Sequence, residues 1–455
     1  MKVSDFQHKN KKWNCFAVTD TLGSFDFYTS IVSLDSLTST DVTIAQQKLL
    51  EFFRKQANDS GIVLDADSYH QIAKVFPLAV HEYTHFIDAT STLWGLRHLK
   101  MMKEAYEAND ALGGTESDFY KAKKYYDYIR MLRLPKYYTL RNTNSSNTTP
   151  WQYEFSAGLL FDSEGRSSDR TIVFTRFLNS SGDFLVRSPI SSVSLLEMSA
   201  MAQEVLMNIL LLTNTDNDFR AVEGALYSQR LMQYLYNPDI TEYSVCVHLV
   251  ANSLNLTDPA MAFRICAVLI SVILNIPTGY FSTIAASCPI ADILKAPSNH
   301  QSIKYFRNGL SLCDYGTLFY LLCRSLPKGD YTSTQSIQTF VESSIERVGI
   351  NIIEMQSKAT LEADELHQQL KTAIIPEIVQ LAEAGYANFK KIGYNRENLP
   401  FEQLNLPPVL LSDSTSSIIF PNIRNRLSTF DIDSAFATLY ECGQAWVERF
   451  SEACV

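Results

Sequence analysis

Glycine is scarce in this chain, with 17 among 455 residues. Few tight turns are then available, and a mainly helical chain is expected. Histidine is scarcer, at eight, so two histidines close together carry information. Cysteine offers no framework. The eight (Cys15, Cys246, Cys266, Cys288, Cys313, Cys323, Cys442 and Cys454) are scattered, with no C-x-x-C. That argues against a zinc knuckle or a disulfide-built fold, and most read as free, buried thiols of a cytosolic protein. No basic stripe extends beyond Lys9-Asn10-Lys11-Lys12, and the net charge is -10; both disfavour a nucleic-acid partner. The longest apolar run, Ile265 to Ile276, is broken by Ser271 and Asn275 and closed by Pro277. It is too short to span a bilayer and reads as a buried helix. The stretch Met1–Lys12 has no apolar core of a secretory signal, so the sequons at Asn144 and Asn147 carry little. The expectation is a cytoplasmic protein with no membrane and no nucleic acid as partner.

What the chain does have is apolar mass: 46% hydrophobic residues, including 23 Tyr and 26 Phe. A chain of this length buries a large core and usually forms more than one domain. Residues 13–35 read as a strand pair, Trp13–Val18 and Ser24–Val32, with Thr21-Leu22-Gly23 as the turn. Residues 41–57 form a helix candidate capped by Thr40-Asp41. The stretch from Leu93 to Asn109 is helical and stops near Gly113-Gly114. Strands are expected at 152–155, 171–178 and 184–187, joined at Asn179–Asp183 by a hairpin-like turn. From Ser191 onward the pattern is mainly helical, with candidates at 192–213, 219–236, 241–254, 258–275, 315–325, 335–357, 358–386 and 433–451. The stretch 395–428 reads as an irregular linker or surface arm. The fold class is therefore α+β, predominantly helical, with a small N-terminal and middle β-sheet. A soft boundary near 300 divides a catalytic domain, 1–300, from a helical region, 301–455.

Residues 81–85 read His-Glu-Tyr-Thr-His. This is the H-E-x-x-H pattern of zinc hydrolases. On a helix, positions i and i+4 share one face, so His81 and His85 can put two imidazole nitrogens on one ion. Glu82 can then reach an attacking water as general base. Asp67 or Ser68 is the expected helix cap, and Pro77 either kinks that helix or opens a new one. From Leu78 to Ala89 neither Gly nor Pro interrupts, and the apolar flanks point to a buried helix.

A catalytic zinc site needs a third protein ligand. The three-histidine pattern H-E-x-x-H-x-x-G-x-x-H is excluded, because Asp88 and Ser91 occupy its glycine and histidine positions. His98 is too far along to substitute. A glutamate from a second helix remains, the thermolysin-like or gluzincin arrangement. Glu197 ranks first: it lies in an apolar segment, Ser194–Glu204, with small residues at 199, 200 and 202 that let two helices approach. Glu204 shares its face at i+7, and Glu223 is a further candidate. Asp88 can hold an imidazole by its second nitrogen, or be an exposed helix acid.

His81-Glu82-Tyr83-Thr84-His85-Phe86, then Ser91-Thr92-Leu93-Trp94-Gly95-Leu96, resembles a group of poorly characterised bacterial zincin-like proteins. Those pair H-E-Y-x-H-F and S/T-T-x-x-G-L with a downstream E-x-x-A-x-x-x-E helix, matched here by Glu197, Ala200 and Glu204. A following aromatic-led helix is matched by Tyr243. The resemblance covers residues 75–250 and implies a zincin-like metallopeptidase core, not a substrate. The chain departs from thermolysin in carrying Met201, not an acid, four residues after Glu197. The expected function is a zinc-dependent endopeptidase acting on a protein or peptide. Glu82 is its base, Tyr243 (then His248) its oxyanion donor, and the strand Phe25–Ile31 an edge for substrate pairing. The helical region 301–455 would meet a regulatory protein partner. The alternatives are a zincin-like binding module without proteolysis and a non-peptidase zinc amide or ester hydrolase.

Overall fold

The computed structural model describes residues 22–58, 61–162, 165–394 and 396–454. The expected strand Trp13–Val18, with Cys15, lies outside them. Strands β1 (Ser24–Phe25) and β2 (Val32–Leu34) pair antiparallel. Thr21 of the expected turn also lies outside the described residues, and the expected continuous strand Phe25–Ile31 is broken by a turn. The hairpin turns at 26–31 because Asp26 accepts from the Tyr28 N–H at 3.1 Å and the Thr29 hydroxyl at 2.6 Å. Ser30 completes it with a left-handed φ of 56°, and such local side-chain bonds compete with the ladder.

Four helices follow: α1 (Ser39–Asn58), α2 (Ala66–Thr90), α3 (Leu93–Tyr106) and α4 (Phe119–Leu132). The cap of α2 is Asp65, not Asp67 or Ser68; its carboxylate accepts from the Ser68 N–H and hydroxyl, each at 2.8 Å. Pro77 sits inside α2 without ending it. Every residue from Ala79 to Thr90 is buried, as in a helix surrounded by core.

Strands β3 (Leu140–Arg141), β4 (Gln152–Phe161), β5 (Ser167–Leu178) and β6 (Phe184–Pro189) form an antiparallel sheet in the order β3-β6-β5-β4. Helices α5 (Ser192–Thr213), α6 (Asn217–Leu235), α7 (Thr241–Leu254) and α8 (Pro259–Leu274) come next. Ser191, Asp216 and Asp258 cap α5, α6 and α8, each accepting from the first turn. By length and composition α5 could cross a membrane, but 67% of its apolar window is buried inside the fold.

The chain continues through α9 (Thr278–Ser287), α10 (Ile290–Leu294), α11 (Gln301–Ser311), α12 (Tyr315–Ser325), α13 (Thr334–Arg347), α14 (Ile352–Leu370) and α15 (Pro376–Ile392). The expected helices 335–357 and 358–386 break elsewhere. Gly349, at φ 93°, ends one, and Pro376 opens another. The expected linker or surface arm 395–428 is exposed only in part, as over 412–416 and 423–424. It holds β7 (Val409–Leu411), wholly buried, which lies parallel to β2 with Ser33 opposite Leu410. With β8 (Ser416–Ser417) it completes a sheet in the order β1-β2-β7-β8. A π-helical turn, Phe436–Gln444, joins α16 (Ile432–Ala435) to α17 (Ala445–Ala453).

Helix α2 is the hub of the fold. It packs on α5 and α1, while α15 crosses both α2 and α3. One apolar core runs from Phe25 through α2, α5 and α8 to Val447.

Candidate metal centre

The centre forms where α2 lies against α5. Ser199, Ala200 and Ala202 are buried at the contact, and their small side chains permit the close approach. His81, Glu82 and His85 are 5%, 1% and 1% exposed, and Glu197 is 0% exposed. Ligand atoms of His81, His85 and Glu197 all lie within 4.8 Å of one another, a buried group that could hold a metal ion. Glu197 Oε2 stands 3.7 Å from His81 Nε2 and 3.5 Å from His85 Nε2.

The donor set fits a cation. Both Glu197 carboxylate oxygens and His81 Nε2 are buried without a hydrogen bond. Leaving such atoms unsatisfied is costly, and an ion between them removes the cost. Burial alone would push the Glu197 carboxyl up, but the two imidazoles override it and bring it down to about 2. At His81 burial opposes the imidazolium, and Glu197 with Glu204 outweighs burial and raises it.

Glu204 falls one shell out. Its Oε2 is 2.8 Å from His81 Nδ1, so it fixes the imidazole and directs Nε2 inward. Glu223 is not brought to the group; it pairs with Arg230 at 2.6 Å. Asp88 is not an exposed acid. It is 0% exposed and accepts from Arg396 Nη2 at 2.8 Å. Burial pushes its carboxyl up; Arg396 and Ser199 oppose this, as does the charge of His85.

A cleft of about 810 Å³ reaches the centre, with His81, Glu82, Glu204, Tyr227, Tyr234 and Tyr243 on its walls. Tyr243 thus shares a cavity with the general-base candidate. His248 does not: its Nε2 is 2.9 Å from the Leu235 carbonyl and its ring stacks on Trp151. His98 is likewise a core residue, stacked on Trp94. Above Glu82 runs the segment entering β1. A Cβ on Gly23 would sit 2.8 Å from Glu82 Oε1. The Phe25 ring is buried, 6.5 Å from that of His85; among the described residues β1 ends the strand order of its sheet.

Two neighbours of the centre carried no motif. Arg133, just past α4, places Nη2 3.8 Å from Glu197 Oε1 and Nε 3.1 Å from Glu242 Oε2. Burial raises the Glu242 carboxyl to about 7, against the pull of Arg133 and helped by Glu197. Glu242 lies in the first turn of α7, next to Tyr243, but nothing local marks Arg133, since its role depends on where α4 ends. Searches against family models, curated proteins and solved structures give no match to this chain.

Proposed function

We propose that the chain is a cytoplasmic zinc-dependent endopeptidase with a zincin-like, gluzincin-type core, which hydrolyses a peptide bond in a protein or peptide. The observation that carries this reading is the convergence of His81, His85 and Glu197, next to a cleft that His81 and Glu82 line. Two imidazoles and a carboxylate suit zinc and leave a position for water. Zinc bound there lowers the pKa of a water and polarises a scissile carbonyl. Glu82 takes the water proton on its carboxylate and delivers it to the leaving nitrogen. The Tyr243 hydroxyl donates to the developing oxyanion from the cleft wall. Residues 301–455 offer the surface for a regulatory partner.

One observation favours a second reading, a buried charge cluster in a binding module without proteolysis. Glu197 lies within ion-pair range of both histidines, so protonated imidazoles could balance it. Metal analysis and proteome cleavage decide between them. Wild type should hold one zinc and cleave. Glu82→Gln should keep zinc and stop cleaving, and His81→Ala should lose both. Cleavage at full rate by Glu82→Gln would overturn the mechanism. Wild type without stoichiometric metal would favour the charge cluster.

A further inference from the structure

The two oxygens of Glu197 have different surroundings. Oε2 points at the imidazoles, 3.7 Å and 3.5 Å away. Oε1 points the other way, 3.8 Å from Arg133 Nη2. A glutamate carboxylate rotates in a broad, two-fold torsional well. Left alone, it can offer an ion either oxygen or both. A guanidinium on one side removes that symmetry and leaves Oε2 facing the histidines.

A bare guanidinium this close would also repel an incoming dication. Glu242 answers that charge: its Oε2 is 3.1 Å from Arg133 Nε. The pair then acts on the centre mainly through geometry, with little net charge. It also links chain-distant elements. Arg133 leaves α4 in an extended conformation, and Glu242 lies in the first turn of α7. Tyr243 is the next residue, so the same pair ties the cleft wall to the back of Glu197.

We propose that Arg133 and Glu242 are a positioning pair, which orients Glu197 toward the ion and sets Tyr243 against it. This rests on the metal reading above. The test is titration of zinc and cobalt into metal-free wild type, Arg133→Met, Arg133→Lys, Glu242→Gln and the double variant R133M/E242Q. Melting temperatures of the metal-free forms are taken alongside.

R133M should bind metal about 10- to 100-fold more weakly, the range for lost support of a ligand, with an altered visible cobalt spectrum. R133K keeps the charge without the fork and should recover part of the affinity. E242Q should also weaken binding, because Arg133 then leans on Glu197 and opposes the ion. The double variant should lose no more than the worse single, as expected of residues acting together. Metal-free R133K and E242Q should melt with wild type, which separates positioning from folding. R133M with wild-type affinity and spectrum, or with tighter binding, overturns the pair. If wild type binds and cleaves while the variants are indifferent, only this inference fails. If wild type binds no metal, the metal reading fails and takes the pair with it.

Discussion

Gly23→Ala is a small change aimed at one atom. The added methyl would lie 2.8 Å from Glu82 Oε1, 3.0 Å from its Cγ and 3.1 Å from the Ser33 carbonyl oxygen. Ordinary contact begins at 3.4 Å. The backbone carbonyl yields little, whereas the far end of the flexible Glu82 side chain gives way more cheaply. The carboxylate therefore retreats, by roughly 0.6 Å, from the position it holds over the cleft. Misplacement on that scale costs a reaction about 10- to 100-fold. Gly23 is not among the glycines with left-handed φ, so alanine adds no backbone strain and the fold should hold. Steady-state cleavage with parallel metal analysis measures the effect. The expected result is a fall in kcat with KM and zinc content near wild type. The double variant G23A/E82Q should be no worse than E82Q alone, because both act on the same carboxylate. G23A cleaving at the wild-type rate while E82Q is dead would refute the placement of Glu82 under Gly23.

Three further outcomes follow from the same geometry. Glu204→Gln loses the charged partner of His81 Nδ1, 2.8 Å away, and should weaken zinc binding about 10- to 100-fold in a calorimetric titration. Arg396→Met leaves Asp88 buried without its partner at 2.8 Å; urea unfolding should show a loss of about 3–5 kcal/mol, much of it recovered when Asp88→Leu is added. Burial pushes the His248 imidazole down to about 4 from its ordinary value near 6.5. The unfolded chain then binds more protons between those values, so the contribution is complete above pH 6.5 and is lost as pH falls toward 4. At pH 5 the loss is about 2 kcal/mol, and the stability difference between pH 7 and pH 5 should shrink by about that much in His248→Phe.

Much of the helical frame was legible because its signals are local. Ser191 caps α5, and the expected 192–213 coincides with the observed helix; α7 and α12 likewise fall on their expected spans. Glu197 was singled out by apolar neighbours and small residues, and it does meet both histidines. What stayed hidden depends on contacts far along the chain. Nothing near Val409 announces that it enters a sheet beside β2. Arg396 looks like a surface residue in an irregular stretch until Asp88 is seen opposite it. The long helical pattern 335–386 hides its breaks because Gly349 and Pro376 act singly, within a periodicity that continues on either side. The same limit hides Arg133, whose neighbours Arg130 and Lys136 are as basic as it is.

The partners of the centre also weigh on the choice between metal and charge cluster. Among the described residues, Asp88, Glu197, Glu204 and Glu242 form a network with the two imidazoles and the guanidiniums of Arg133 and Arg396. Arg396 is committed to Asp88 and Arg133 to Glu242. That leaves Glu197 and Glu204 facing His81 and His85. A dication between the same atoms would meet both Glu197 oxygens, which are buried without a hydrogen bond. It asks for neutral imidazoles, with Glu204 accepting the Nδ1 proton of His81. Protonated imidazoles would serve the charge cluster and neutral ones the metal, so zinc content of the purified wild type is the measurement on which the choice turns.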